Sequence, residues 1–177
     1  MATPYPGEHY SPFTLEMLQQ YPKLLRMQEP PQEPTPYSQR GLENPKGWEG
    51  LCRRLFQEMD ELNRPYENTP DSIQLAQLKS KFGGLRVYIE HAPKDPALQD
   101  RLRNLITKYE QEAAKTCEST GEPGQLYVSP DGWYMSLSSA EVAKRGDLFP
   151  VPDTCAALTT VKPQDITNKV VDLIQGG

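Results

Sequence analysis

Only two histidines, His9 and His91, are available to serve as a general base near neutral pH. Neither belongs to a nucleophile motif, and no G-x-S-x-G elbow, Walker loop, dinucleotide fingerprint or H-E-x-x-H pair occurs. The Gly83-Gly84 pair is too short to cradle phosphates. Cys52, Cys117 and Cys155 are odd in number and widely spaced, which is poor disulfide arithmetic and fits a reducing compartment. Cys52 falls on an apolar helical stripe and reads as a small core residue rather than a nucleophile. Scattered Asp and Glu can form a catalytic pair only if the fold gathers them, and spacing does not reveal such a pair. The residues therefore point to a protein with no enzyme activity, no cofactor and no metal, working through a surface.

That surface has candidate side chains. Glu58, Asp60, Glu61, Glu110 and Glu112 fall on the outer faces of two expected helices, where they would complement a basic protein partner such as a nucleic-acid-handling enzyme. The alternative is that they only keep the helices soluble. Arg86 on an expected strand, and Arg101 and Arg103 on a helix, would meet an acidic or phosphate-bearing partner, or else form a solvated face. Trp48 and Trp133 read as core residues, with interface anchors as the alternative.

The elements that must position these residues follow from periodicity. A helix is expected from about Thr14 to Met27, with Leu15, Leu18, Leu24 and Leu25 on its stripe, Thr14 as its cap, and Pro22 giving either a kink or two short helices on either side of Tyr21. Glu29 to Gly47 is a proline-rich connector. Trp48, Leu51, Cys52, Leu55, Phe56, Met59 and Leu62 then form one helical stripe that Asn63-Arg64-Pro65 ends. Alternation through Ile73, Leu75, Leu85, Val87 and Ile89 around Phe82-Gly83-Gly84 predicts a hairpin or bent strand pair. Asp95-Pro96 opens a helix carrying Leu98, Leu102, Leu105, Ile106, Tyr109 and Ala113. Two short strands flank the turn Ser129 to Gly132, Ser138 or Ser139 caps a short helix that Gly146 closes, and Leu148 to Thr160 reads as irregular. Pro163 and Asp165 open a C-terminal amphipathic helix with Ile166, Val170, Leu173 and Ile174 on one side.

The expected fold class is thus α+β: a single domain of four to five helices on a small antiparallel sheet. Its organisation is a flexible terminus over 1–13, the domain over 14–146, and an irregular segment with the last helix over 147–177. The 177 residues, 18 prolines, 36% hydrophobic content and mean hydropathy of −0.70 allow one modest core. The net charge of −5 argues against nucleic-acid phosphate as the default partner. The opening MATPYPGEHYSP has no basic and apolar leader, and no run of about 18 apolar residues occurs. A cytoplasmic protein without a membrane partner is the expectation.

The order Tyr21-Pro22-Lys23, Gly47-Trp48, Lys79-Ser80-Lys81-Phe82-Gly83-Gly84-Leu85-Arg86-Val87-Tyr88, Cys117-Glu118-Ser119-Thr120-Gly121-Glu122-Pro123-Gly124 and Gly132-Trp133 resembles a family of small phage-borne and proteobacterial proteins of uncharacterised activity. The likeness spans about residues 15 to 145. Members of that family show C-x-x-C-G-x-P-G, then G-W, then T-L-C-x-x-H, a set suited to a structural zinc. Here the resemblance places Cys117, Thr120, Ser138 and Glu141 at the four ligand positions. Neutral hydroxyls do not replace thiolates, so the resemblance implies a degenerate zinc-knuckle segment over 117–141 without metal, held by Tyr127, Trp133 and Tyr134.

Two functions from different classes fit. The first is an immunity or inhibitor protein that neutralises a toxin or phage-related enzyme by protein–protein binding. The second is a phage-derived degenerate knuckle module that binds nucleic acid or a replication partner.

Overall fold

A computed structural model describes residues 10–25 and 40–152. Among them are four α-helices and two small antiparallel sheets, an α+β arrangement. Most of the proline-rich connector (29–39), Cys155 and the expected C-terminal helix lie outside the described residues.

Helix α1 (Pro12–Gln20) starts earlier than periodicity predicted. Ser11 is the cap, with its Oγ accepting from the Thr14 N–H at 3.1 Å and Pro12 in the first turn. Thr14 lies one turn inside and is buried, and its hydroxyl accepts from the Leu42 N–H at 3.1 Å. The inward stripe is Phe13, Met17 and Leu18, whereas Leu15, expected to face the core, is 45% exposed. Because Tyr10 and Phe13 are buried, the boundary drawn at 13/14 cuts through packed structure. The helix stops at Tyr21, since Pro22 disfavours a helical conformation in the residue before it; the chain turns through 22–25, and the end of the expected span, 26–27, lies outside the described residues.

Helix α2 (Glu49–Asn63) is entered through a tight turn at Lys46–Trp48, and its seven expected stripe residues are all buried. Strands β1 (Leu75–Lys81) and β2 (Gly84–Ile89) form the predicted hairpin, with a bulge between Leu75 and Gln77. Phe82 and Gly83 both have positive φ, 54° and 74°, as a two-residue turn matched to strand twist requires. Helix α3 (Pro96–Ala114) is capped by Asp95, whose carboxylate accepts from Ala97 N–H at 3.0 Å and from the Tyr66 hydroxyl at 3.1 Å.

The second sheet has the order β4-β3-β5, from Gln125–Val128 (β3), Tyr134–Leu137 (β4) and Phe149–Pro150 (β5). Ser138 caps α4 (Ser139–Arg145), and Gly146 closes it at φ 78°. Two points correct the sequence reading: β5 gives order to a stretch expected to be irregular, and there are two sheets rather than one. They stay separate because the tip of the first hairpin packs onto a face of the second sheet instead of pairing with its edge. The Ser136 hydroxyl donates to Gly83 O at 2.6 Å, and a Cβ at Gly83 would fall 2.5 Å from the Leu126 side chain.

The main core joins α1, α2, α3 and the first hairpin around Trp48, Phe56, Met59 and Tyr109. A smaller core holds Cys117, Tyr127, Met135 and Leu137, flanked by Val142 and Leu148.

Candidate partner-binding surface

Helices α2 and α3 pack side by side, and of the sequence-predicted carboxylates of α2 it is Glu58 that meets a basic side chain of α3 along that seam. Glu58 accepts from Lys108 Nζ at 3.2 Å and from the Tyr109 hydroxyl. The tyrosine hydrogen bond, then Lys108 and Arg54, hold the Glu58 carboxyl below its usual range against a smaller opposing effect of burial. Burial foremost, and then the bond to this carboxylate, push the Tyr109 phenol up. One turn away Arg54 forms a two-pronged pair with Glu112 and lies 5.7 Å from the centre of the Tyr109 ring.

The six predicted residues therefore fare differently. Glu58 and Glu61 come together on one groove of about 420 Å³, with Leu62 and Leu105 as apolar floor and Arg101 and Asn104 on the far wall. Glu112 lies on the same seam but is engaged by Arg54. Asp60 pairs with Arg64 at 3.6 Å within its own helix. Glu110 faces the other side of α3, toward β2. Arg86 is only 5% exposed, so its side chain is not offered to a partner. It stands opposite Lys79 across the hairpin, on the face away from Leu85 and Val87, and that face is covered at this point.

Of the tryptophans, Trp48 is fully buried, as expected, while Trp133 is 71% exposed. Trp133 precedes β4 beside the turn at 129–132 and packs against neither core. Tyr134 is paired with Val128 and so lies on the sheet face opposite Met135; its ring meets Phe82 edge-on, with centroids 6.4 Å apart. Of the three aromatics expected to hold the Cys117 segment, only Tyr127 packs there. The work expected of the other two is done by Gly47 and Trp48. The Trp48 indole N–H donates to Thr116 O at 3.0 Å and the Gly47 N–H to Glu118 O at 2.8 Å. A Cβ at Gly47 would lie 2.2 Å from Cys117 O, so only glycine permits this approach.

The four positions matched to metal ligands are adjacent. Burial pushes the Cys117 thiol up, but the Thr120 hydroxyl and the N–H groups of Ser138, Thr120 and Ser119 donate to its sulfur and bring it below the ordinary cysteine value. The Ser138 hydroxyl accepts from the Glu141 N–H at 3.3 Å, and the Glu141 carboxylate pairs with Lys144 at 3.0 Å. One thiol, two neutral hydroxyls and one engaged carboxylate do not suit zinc. Among the described residues no group of three or more His, Cys, Asp or Glu side chains is placed to hold a metal ion. One carboxylate was missed by sequence reasoning: Glu118 is pushed up by burial while it accepts from the Ser136 N–H at 3.3 Å.

No protein-family model, no curated protein and no solved structure matches the chain. The resemblance carried by Lys79–Tyr88 and Cys117–Gly124 therefore rests on those residues alone. Among the described residues no helix is long and apolar enough to cross a membrane.

Proposed function

We propose that the chain is a non-catalytic cytoplasmic binding protein of the immunity or inhibitor type, which neutralises a basic toxin or phage-related enzyme by covering it. The observation that carries this reading is the α2–α3 groove. Two carboxylates, Glu58 and Glu61, stand on one wall over an apolar floor of Leu62 and Leu105, so a lysine or arginine of a partner can lay its stem on the floor and its charge against the wall. Glu61 is the more available of the two, since its one partner in the helix is Gln57 at 3.4 Å, whereas Glu58 is held by Lys108 and Tyr109.

Inhibitors of this kind are commonly encoded beside the protein they neutralise, which gives the test. Co-expression with the product of the adjacent gene is expected to relieve its toxicity and to yield a stoichiometric complex by calorimetry. Glu61→Lys should weaken that complex about tenfold or more through a faster off-rate, as for a desolvated interfacial charge. Absence of any complex, or a complex indifferent to Glu61→Lys, contradicts the reading.

One set of contacts favours the second reading, a module for single-stranded nucleic acid. Lys79 Nζ lies 5.8 Å from the Tyr88 ring centre and Lys81 Nζ 5.4 Å from that of Phe82, whose 52% exposed side chain meets the Tyr134 ring edge-on. Fluorescence anisotropy with a labelled oligonucleotide would reveal it as binding that falls steeply with salt and is lost in Phe82→Ala.

A further inference from the structure

We infer, on the second of the two readings above, that Phe82, Tyr134 and Phe149 form one stacking track for single-stranded nucleic acid, with Lys79 and Lys81 as its phosphate contacts. The first observation is the backbone of Phe82. Among the described residues it is the one non-glycine with positive φ, and its ring is half exposed. A bulky side chain disfavours that conformation, which asparagine or glycine adopts readily in a two-residue hairpin turn. An exposed ring also contributes little burial in return. The turn thus gives up stability twice to hold an aromatic at its tip, and strain of that kind collects where a side chain has work beyond folding.

The second observation is the alignment of the rings. Phe82 meets Tyr134 edge-on, and Tyr134 and Phe149 both pair with Val128. Paired residues of antiparallel strands point to the same face, so Tyr134, Val128 and Phe149 stand in a row across the sheet face opposite Tyr127 and Met135. Phe149 is 60% exposed, and neither it nor Tyr134 belongs to a core. With strands about 4.8 Å apart, the Tyr134 and Phe149 backbones are about 10 Å from each other, so separate bases can rest on separate rings.

The third observation is charge, and it selects the occupant. Lys79 and Lys81 share one face of β1, each with its ammonium group close to a ring, and neither forms an ion pair among the described residues. The nearby acids are engaged: Glu43, bridged to Lys79 through the backbone, is held by Arg40 at 3.3 Å and Gln77 at 3.0 Å, and Asp131 by the Ser129 hydroxyl. Unneutralised cations interleaved with exposed rings suit a chain that repeats phosphate and flat base.

The test is fluorescence anisotropy of the full chain with labelled oligothymidylate and oligouridylate of about 12 nucleotides, from about 50 mM salt upward. Binding that weakens with salt is expected. Phe82→Asn suits the turn, and should keep or raise stability to urea while weakening binding about tenfold. Phe149→Ala, at the far end of the track, should weaken it about fivefold with an unchanged circular dichroism spectrum. Lys79→Gln/Lys81→Gln should reduce the slope of log affinity against log salt by about 1.4. Binding lost in Phe82→Asn but unmoved in Phe149→Ala would overturn the track and leave the second reading standing, whereas no binding of either oligonucleotide would remove both. A Phe82→Asn variant that binds like the parent or is less stable, or a salt slope unmoved by loss of both lysines, would also overturn the inference.

Discussion

The α1–α3 unit with its hairpin and the segment around Cys117 are held together by different means. The first has a continuous apolar core in which Trp48, Phe56, Met17, Leu55 and Met59 are fully buried. The second buries four apolar side chains and leans on backbone hydrogen bonds: Cys117 N–H to Glu122 O at 2.7 Å, Glu118 N–H to Ser136 O at 2.8 Å and Gly124 N–H to Lys115 O at 2.9 Å. So small a core is marginal by itself. It stands as an attachment, fixed to the larger unit by the turn before α2. The segment around Cys117 keeps its shape because the neighbouring core clasps it through Gly47 and Trp48.

Breaking the clasp should have the largest effect. Trp48→Ala removes the fully buried ring and the indole bond to Thr116 O together, and is expected to cost about 3–5 kcal/mol by urea denaturation. Both regions should lose protection. Gly47→Ala separates them more selectively, because the obstruction is the backbone of Cys117 and Glu118, which must move. A loss of about 1–3 kcal/mol is expected, with amide exchange accelerated over Cys117–Gly124 while α2 and α3 remain protected.

Thiol labelling read by mass spectrometry sharpens the same contrast. Burial pushes the Cys52 thiol up to about 12, with Glu49 adding to the effect, whereas the donors around Cys117 hold its thiol below the ordinary value. Cys117 should therefore be modified at lower urea than Cys52, and simultaneous modification would mean that the two regions open as one.

The smallest effect concerns acid. Glu58 has a folded pKa below its unfolded value, so the stability it contributes is present above the unfolded pKa, about 4.3, and is lost as pH falls through the folded one. Tyr109→Phe removes the largest cause of that depression. The variant should be less stable at neutral pH yet lose less on acidification below about pH 4.5, as followed by thermal melts.

Much of the fold could be read from local chemistry. The stripe of α2, the Asp95-Pro96 start of α3 and the glycine turn of the hairpin each carry their signal within a few residues. The errors arose where distant residues decide. Leu15 fits a helical stripe as well as Met17 does, until the Ser11 cap sets where α1 begins. Arg86 alternates like a solvent-facing residue, yet its face of the hairpin is covered. At the candidate site the acids were recognised but their neutralisation was not, because Lys108 is 50 residues from Glu58 and Glu112 is 58 from Arg54. Nothing in the spacing of either helix reveals which cations the other will bring. The same holds for the bond from Trp48 to Thr116 O, 68 residues apart.

The segment around Cys117 stands on packing and backbone contacts and not on a bound metal. Native mass spectrometry after incubation with excess zinc and buffer exchange tests it most directly. The predicted result is the mass of the bare chain with an unchanged melting temperature. A stoichiometric zinc adduct accompanied by a rise in melting temperature, both abolished by Cys117→Ser, would contradict it.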